Sequence, residues 1–156
     1  PQKLEIGKAE LVQEGNDIGL IGLGHLFSMA EQTCSSLEDQ GHSVSLINPR
    51  FIKPMDNSAI KEMANKVKVI CTFEDHVLNN GFGAAIIELL HEAEINTPVV
   101  RIGWPDEFVE HGNIPALREK HGISHENAIS LINEKLNSLT QQSQKAPKEA
   151  SPKEYA

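Results

Sequence analysis

Four short apolar runs recur along this chain: Ile18-Gly19-Leu20-Ile21-Gly22-Leu23, Ser43-Val44-Ser45-Leu46-Ile47, Val67 to Phe73, and Pro98 to Ile102. Between them lie stretches of helical periodicity. An apolar run without polar alternation suits a strand buried on both faces, and strands alternating with helices of about 12 residues imply βαβ units. The sequence therefore predicts an α/β domain whose sheet is mostly parallel and covered by helices on both sides.

The remaining elements follow the same pattern. Lys8 to Glu14 alternates as a short strand, and Gly15-Asn16-Asp17 has turn chemistry, which predicts a hairpin that adds one antiparallel strand at an edge. From His25 to Gln40 the stripe Leu26, Ala30, Cys34, Leu37 predicts a helix, stopped by Gly41. Pro54 and Asp56 introduce a helix through Ile60, Met63 and Val67. The Val67–Phe73 strand is expected to break at Glu74-Asp75-His76, and a helix to open at Asn80-Gly81-Phe82-Gly83 and run to about Glu94. Two more helices are expected at 114–121, with Asn113 as N-cap and Gly122 as stop, and at 125–139, with Ser124 as N-cap. Residues 140–156, with a repeated Pro-Lys-Glu unit and almost nothing to bury, are expected to be a disordered tail after a single domain of residues 1–139.

Composition narrows the partners. A chain of 156 residues, 39% hydrophobic, holds a core without metals or disulfides. Its two cysteines, Cys34 and Cys71, lie far apart in apolar surroundings and are expected to be reduced, buried thiols. Acidic residues number 22 against 14 Lys plus Arg, and the net charge is −8. Lys145, Lys148 and Lys153 against Glu149 and Glu154 leave the tail at +1, so residues 1–139 carry −9. That balance argues against nucleic acid, whose phosphates demand clustered Lys and Arg. No apolar run approaches the roughly 18 residues of a membrane span, and no basic-then-apolar leader opens the chain, so a cytoplasmic protein is expected. The first residue is Pro1, which suggests a piece of a longer polypeptide.

Ligands of open α/β sheets bind outside the carboxyl ends of the strands. Those ends are Gly24-His25, Asn48-Pro49-Arg50, Glu74-Asp75-His76 and Trp104-Pro105-Asp106. Gly22-Leu23-Gly24 invites a dinucleotide reading, but Phe27 stands where the third glycine belongs, so a turn with positive φ is the alternative. Asn79-Asn80-Gly81-Phe82-Gly83 is a second glycine-rich helix start, either a structural turn or a cradle for an anion or partner. Glu74, Asp75 and His76 suit either an acid–base group or a hydrogen-bonded anchor. His121 and His125 are separated by Gly122, and no metal-ligand spacing or nucleophile elbow occurs. The stretch Gly103 to Gly112 holds the only Trp, a Pro, four ionisable side chains and a Gly, as if to fix an aromatic and an imidazole at an interface or site mouth.

Four stretches in order carry a family resemblance: Ile6-Gly7-Lys8-Ala9-Glu10 with Gly15, Arg50 to Asp56, Glu74 with Gly81-Phe82-Gly83, and Pro105-Asp106-Glu107-Phe108-Val109-Glu110-His111-Gly112. Together they resemble the C-terminal domain of the 1-deoxy-D-xylulose-5-phosphate synthases, thiamine diphosphate enzymes of the transketolase superfamily. The resemblance spans about residues 4–136. It implies a three-layer α/β/α domain with a five-stranded mixed sheet whose first strand is antiparallel. The resemblance implies an enzyme whose thiamine diphosphate and Mg²⁺ sit in two preceding domains, and this sequence lacks the family's Gly-Asp-Gly with its downstream Asn and its activating glutamate segment. No catalytic, cofactor or metal residue is then expected in this chain. The implied role is packing on the preceding domains and forming a homodimer, with Arg50, Phe51, Lys53, Glu74, His76, Phe82 and His111 as contact candidates. A transketolase or 2-oxo acid dehydrogenase beta-subunit terminus, and a free-standing module that binds an anion at Gly81-Phe82-Gly83, are the alternatives.

Overall fold

The computed structural model describes residues 3–145. In chain order its elements are β1 Glu10–Gln13, β2 Ile18–Gly22, α1 Phe27–Asp39, β3 Val44–Asn48, α2 Asn57–Lys66, β4 Val69–Val77, α3 Phe82–Glu92, β5 Val99–Trp104, α4 Ile114–Lys120 and α5 His125–Lys145. The five strands form one sheet in the order β1-β3-β2-β4-β5, parallel except for β1.

Why the strand runs are apolar throughout is visible in the packing. Successive side chains of a strand point to opposite faces, and here both faces are covered. Leu20, Leu46, Cys71 and Phe73 face α1 and α5, which contribute Leu37, Ala128 and Ile132. Ile21, Ile47 and Ile70 face α2 and α3, which contribute Ile60, Phe82 and Ile86. Each fully buried aliphatic side chain stabilises the fold by about 1.5–3 kcal/mol relative to exposure. The expected three-layer α/β/α architecture with a five-stranded mixed sheet is the one found.

The expected hairpin is absent: β1 is the antiparallel edge strand, but it pairs with β3 rather than β2. Both edges of β2 are taken by parallel neighbours, β3 and β4. The Gly15-Asn16-Asp17 turn instead crosses the start of β3. Ser43 donates its N–H to the Asp17 carboxylate, Asp17 N–H donates to the Ser43 carbonyl, and Asn16 N–H donates to the Ser43 hydroxyl. Gly15 lies so close to the Val44 backbone that a Cβ would fall 2.2 Å from its carbonyl carbon.

Two other boundaries differ. The strand expected to break at Glu74 continues to Val77, with a register shift against β5 between Phe73 and Val77. Its polar residues stay in the ladder because they find partners there, described below. Helix α5 runs to Lys145, six residues beyond its expected end at 139. The rest of the expected tail, 146–156, lies outside the described residues. Asn113 and Asp56 cap α4 and α2 through bonds from Ala116 and Ala59 N–H, and Gly122 has φ +69°, as their residue types require.

Gly15→Ala should lower the unfolding free energy by about 3 kcal/mol, because backbone rather than a movable side chain blocks the new Cβ. Gly24→Ala, where φ is +60° but nothing lies within 4 Å, should cost about 1 kcal/mol. Urea denaturation of the two variants measures the contrast.

Candidate functional site

Two polar clusters lie at the carboxyl edge of the parallel strands, one on either side of β4, and of the contact candidates only Glu74, His76 and Phe82 belong to them. On the α3 side Glu74 is fully buried. Its carboxylate accepts from the Gly83 backbone N–H with both oxygens, at 3.1 and 3.0 Å, and from the Thr72 hydroxyl at 3.2 Å. The partial positive charge of the α3 N-terminus adds to these bonds. Two glycines make the approach possible: a Cβ on Gly83 would lie 2.5 Å from Glu74 Oε1, and one on Gly81 2.7 Å from Oε2. His76 completes the cluster. Its Nδ1 faces the Val77 carbonyl at 3.1 Å, while Nε2 receives the Phe82 N–H at 3.4 Å and lies 3.3 Å from Glu74.

This geometry bears on the anion-cradle reading. The donors that Gly81-Phe82-Gly83 would offer an incoming anion are already engaged, Gly81 N–H by the Leu78 carbonyl, Phe82 N–H by His76 and Gly83 N–H by Glu74, and a buried carboxylate already holds the helix end. A diphosphate there would meet that negative charge, so the residues present do not fit thiamine diphosphate. Among the described residues no group of three or more His, Cys, Asp or Glu is placed to hold a metal ion.

Lys53, His76 and Phe82 line one open groove of about 700 Å³ with Ile52, Val77 and Asn79. Glu74 lies buried behind it. The other nominated residues do not join them. Arg50, at φ +57°, turns to Glu10 across 2.8 Å. Phe51 is half-buried in the loop after β3, and His111 is exposed in the loop before α4.

The second cluster was not nominated as a whole. Asp75 Oδ1 accepts from Trp104 Nε1 at 2.7 Å, and Oδ2 lies 2.9 Å from His25 Nε2 and 3.4 Å from an Arg118 nitrogen. His25 Nε2 also abuts Arg118, so it can donate to the carboxylate or accept from the guanidinium, not both. Arg118 Nε is buried without a hydrogen-bond partner. Partial burial alone would raise the Asp75 carboxyl, but the Trp104 bond, Arg118 and His25 outweigh it and hold the group below the ordinary carboxylate value. The cluster spans the gap between the carboxyl ends of β2 and β4, where the chain leaves toward opposite sides of the sheet. His25, Asp75 and Trp104 were visible as strand-end residues. Arg118 comes from α4 and His121 caps its C-terminal end, and neither carries a local signal.

The expected aromatic–imidazole pair exists with a different histidine. Trp104 and His121 meet edge to face with centroids 5.7 Å apart, and His121 Nδ1 lies 3.4 Å from Glu107. The turn at Gly122 brings His121 back toward the sheet, whereas His111 stays on the outside of the loop.

Neither cysteine is poised as a nucleophile. Burial, then Glu38 and Glu31, push the Cys34 thiol up to about 11, and burial with Glu74 raises Cys71 as well.

Three of the four family-like stretches prove architectural. Gly7, at φ +76°, packs on Pro54; Ala9 N–H donates to the Asp56 carboxylate at 3.1 Å; Glu10 pairs with Arg50. The first two stretches are thus sewn together, and the third is the Glu74–Gly83 contact. The fourth has few ties: Asn79 holds Asp106 at 2.8 Å, while Phe108 is 93% exposed.

Comparison with known proteins now decides the family. A family model described as "Transketolase, C-terminal domain" matches residues 7–128. The chain belongs to the transketolase C-terminal domain family. It is 50% identical over 132 residues to the 1-deoxy-D-xylulose-5-phosphate synthase of Acidobacterium capsulatum, covering 85% of this chain and 21% of the relative. It is 44% identical over 129 residues to the synthase of Methylacidiphilum infernorum, covering 83% and 20%. The chain thus spans about a fifth of the length of these relatives. Among solved structures, a split-gene transketolase, described as an inactive beta4 tetramer, superposes with a TM-score of 0.78 at 29% identity, covering 87% of this chain and 43% of that one. A 2-oxoglutarate:ferredoxin oxidoreductase from Magnetococcus marinus shares the fold at 16% identity and a TM-score of 0.51. The transketolase C-terminal domain fold therefore accounts for the sheet order.

A carboxylate whose folded pKa is depressed stabilises the protein above its unfolded value and loses that contribution as pH falls through the folded one. Asp75→Asn should therefore cost about 1–2 kcal/mol at pH 7, by removing charge-assisted bonds that are partly solvated. The gap to the parent protein should narrow as pH drops below about 3.9. Urea titrations at a series of pH values measure it.

Proposed function

We propose that this chain is the C-terminal, non-catalytic domain of a thiamine diphosphate-dependent 1-deoxy-D-xylulose-5-phosphate synthase. The whole enzyme is a transferase that joins pyruvate to glyceraldehyde 3-phosphate with release of carbon dioxide, at the head of isoprenoid and thiamine precursor synthesis. One observation carries the reading: 50% identity to such a synthase across 85% of this chain, which is only 21% of that relative. The rest of the enzyme, in this reading, supplies thiamine diphosphate, Mg²⁺ and the catalytic groups.

What this domain contributes is a rigid surface. Lys53, His76 and Phe82 form a groove at the carboxyl edge with Glu74 buried behind it, and Arg50, Phe51 and His111 lie apart from it on the loops after β3 and before α4. Packing on the preceding domains and assembly of a cytoplasmic homodimer is the role these residues serve. The Glu74 carboxylate at the α3 N-terminus weighs against a free-standing anion-binding module. Identity of 29% to the split-gene transketolase, against 50% to the synthase, favours the synthase over a transketolase terminus.

The test compares two polypeptides: the 156-residue chain and the product of the same gene extended through its upstream coding region. With thiamine diphosphate, Mg²⁺, pyruvate and glyceraldehyde 3-phosphate, the extended protein should release carbon dioxide and the 156-residue chain should not. Turnover by the short chain, or an upstream region encoding nothing like a synthase, refutes the reading.

A further inference from the structure

Helix α4 has no buried residue. It is held to the body by polar side chains, Arg118 on Asp75 and His121 against Trp104 and Glu107. The loop ahead of it is pinned by Asn79 on Asp106. These ties fix a loop and helix that leave two large apolar side chains outside, Phe108 at 93% and Ile114 at 58% exposure, while Val109 and Leu117 are half-buried. Exposed large apolar side chains are informative when they concentrate, not when they scatter. Nine such side chains are exposed among the described residues, and six belong to the stretch that leads into β1 or to the carboxyl ends of β3, β4 and β5 and the loops that follow them: Leu4, Ile6, Ile52, Val77, Phe108 and Ile114.

The occupant follows from how the chain reaches the sheet. β1 is antiparallel and starts with Glu10 opposite Asn48, the last residue of β3. Leu4 to Ala9 therefore approaches along the carboxyl edge, with Gly7 against Pro54. Any polypeptide ahead of Leu4 emerges at the β1 end of this carboxyl edge, while Phe108 follows β5 at the other end of the strand order, so a preceding domain tethered there at high effective concentration must cover the width of the sheet to reach it. In the relatives about four-fifths of the length lies outside the matched region. Asp106, Glu107 and Glu110, all exposed, neighbour Phe108 in sequence and contact Asn79, His121 and Lys120 within the chain; their acidic character suits an apolar pocket with basic residues around it.

We infer that the carboxyl edge docks on the polypeptide preceding Leu4 in the longer synthase, with Phe108 as the anchoring side chain seated in a basic-rimmed apolar pocket. This rests on the proposed function, and it adds which surface docks, by which residue, and on what.

Photo-crosslinking in the extended protein tests it. Phe108→p-benzoylphenylalanine is compared with Asn65→p-benzoylphenylalanine, which lies exposed at the opposite edge. The expected result is adducts to peptides preceding Leu4 at least tenfold above the Asn65 control. Adducts confined to residues 3–145 of a second copy, or none above the control, overturn the inference and leave the synthase reading standing. An upstream region that encodes no synthase overturns both. In the 156-residue chain alone, Phe108→Ala should leave the urea midpoint unchanged, and a shifted midpoint would mean that Phe108 packs on its own domain instead.

Discussion

The buried carboxylate of Glu74 is the contact on which the carboxyl edge depends. Removing a charge from water costs several kcal/mol unless donors replace the solvent. Here the Gly83 N–H, the Thr72 hydroxyl and the positive end of α3 do so. The contact requires Gly81 and Gly83 because a Cβ at either would collide with it. In return it lets β4 remain a strand past its apolar run, to Val77. That extension places Asp75 on the other side, where it ties Trp104, His25 and Arg118 together. The positions of α3, the strand end and α4 thus trace back to one side chain.

Most of the layer architecture could be read from the residues because its cause is local. An uninterrupted apolar run is what a strand covered on both faces needs, and a stripe such as Ile60-Met63 or Ala128-Ile132 is what a covering helix needs. The partner of β1 was not legible. Turn chemistry at Gly15-Asn16-Asp17 says that the chain reverses, but the crossing over Ser43 and Val44 is decided by contacts some 28 residues away. The end of β4 is hidden from the sequence for a related reason. Polar residues signal a loop unless a helix end elsewhere satisfies them.

The candidate site divides in the same way. Strand-end residues such as His25, Glu74 and His76 could be nominated from the fold rule alone. Arg118 and His121 could not, since they reach the cluster from a helix more than 90 residues beyond His25. His111 was nominated through the family-like run that contains it, yet the imidazole that meets the aromatic ring is His121. Three of the four family-like stretches stitch the domain's own edge: Gly7 to Pro54, Ala9 to Asp56, Glu10 to Arg50 and Glu74 to Gly83. The exception is the run around Phe108, which contributes little inside the domain and is left to face outward.

The exchange rate of the Gly83 backbone amide tests the central role of Glu74 most directly. Hydrogen exchange followed by NMR on the 156-residue chain should show that amide opening only with global unfolding, as slowly as the amides of the β2–β4 ladder. Exchange many-fold faster than that ladder, by local opening of the α3 N-terminus, would contradict the account.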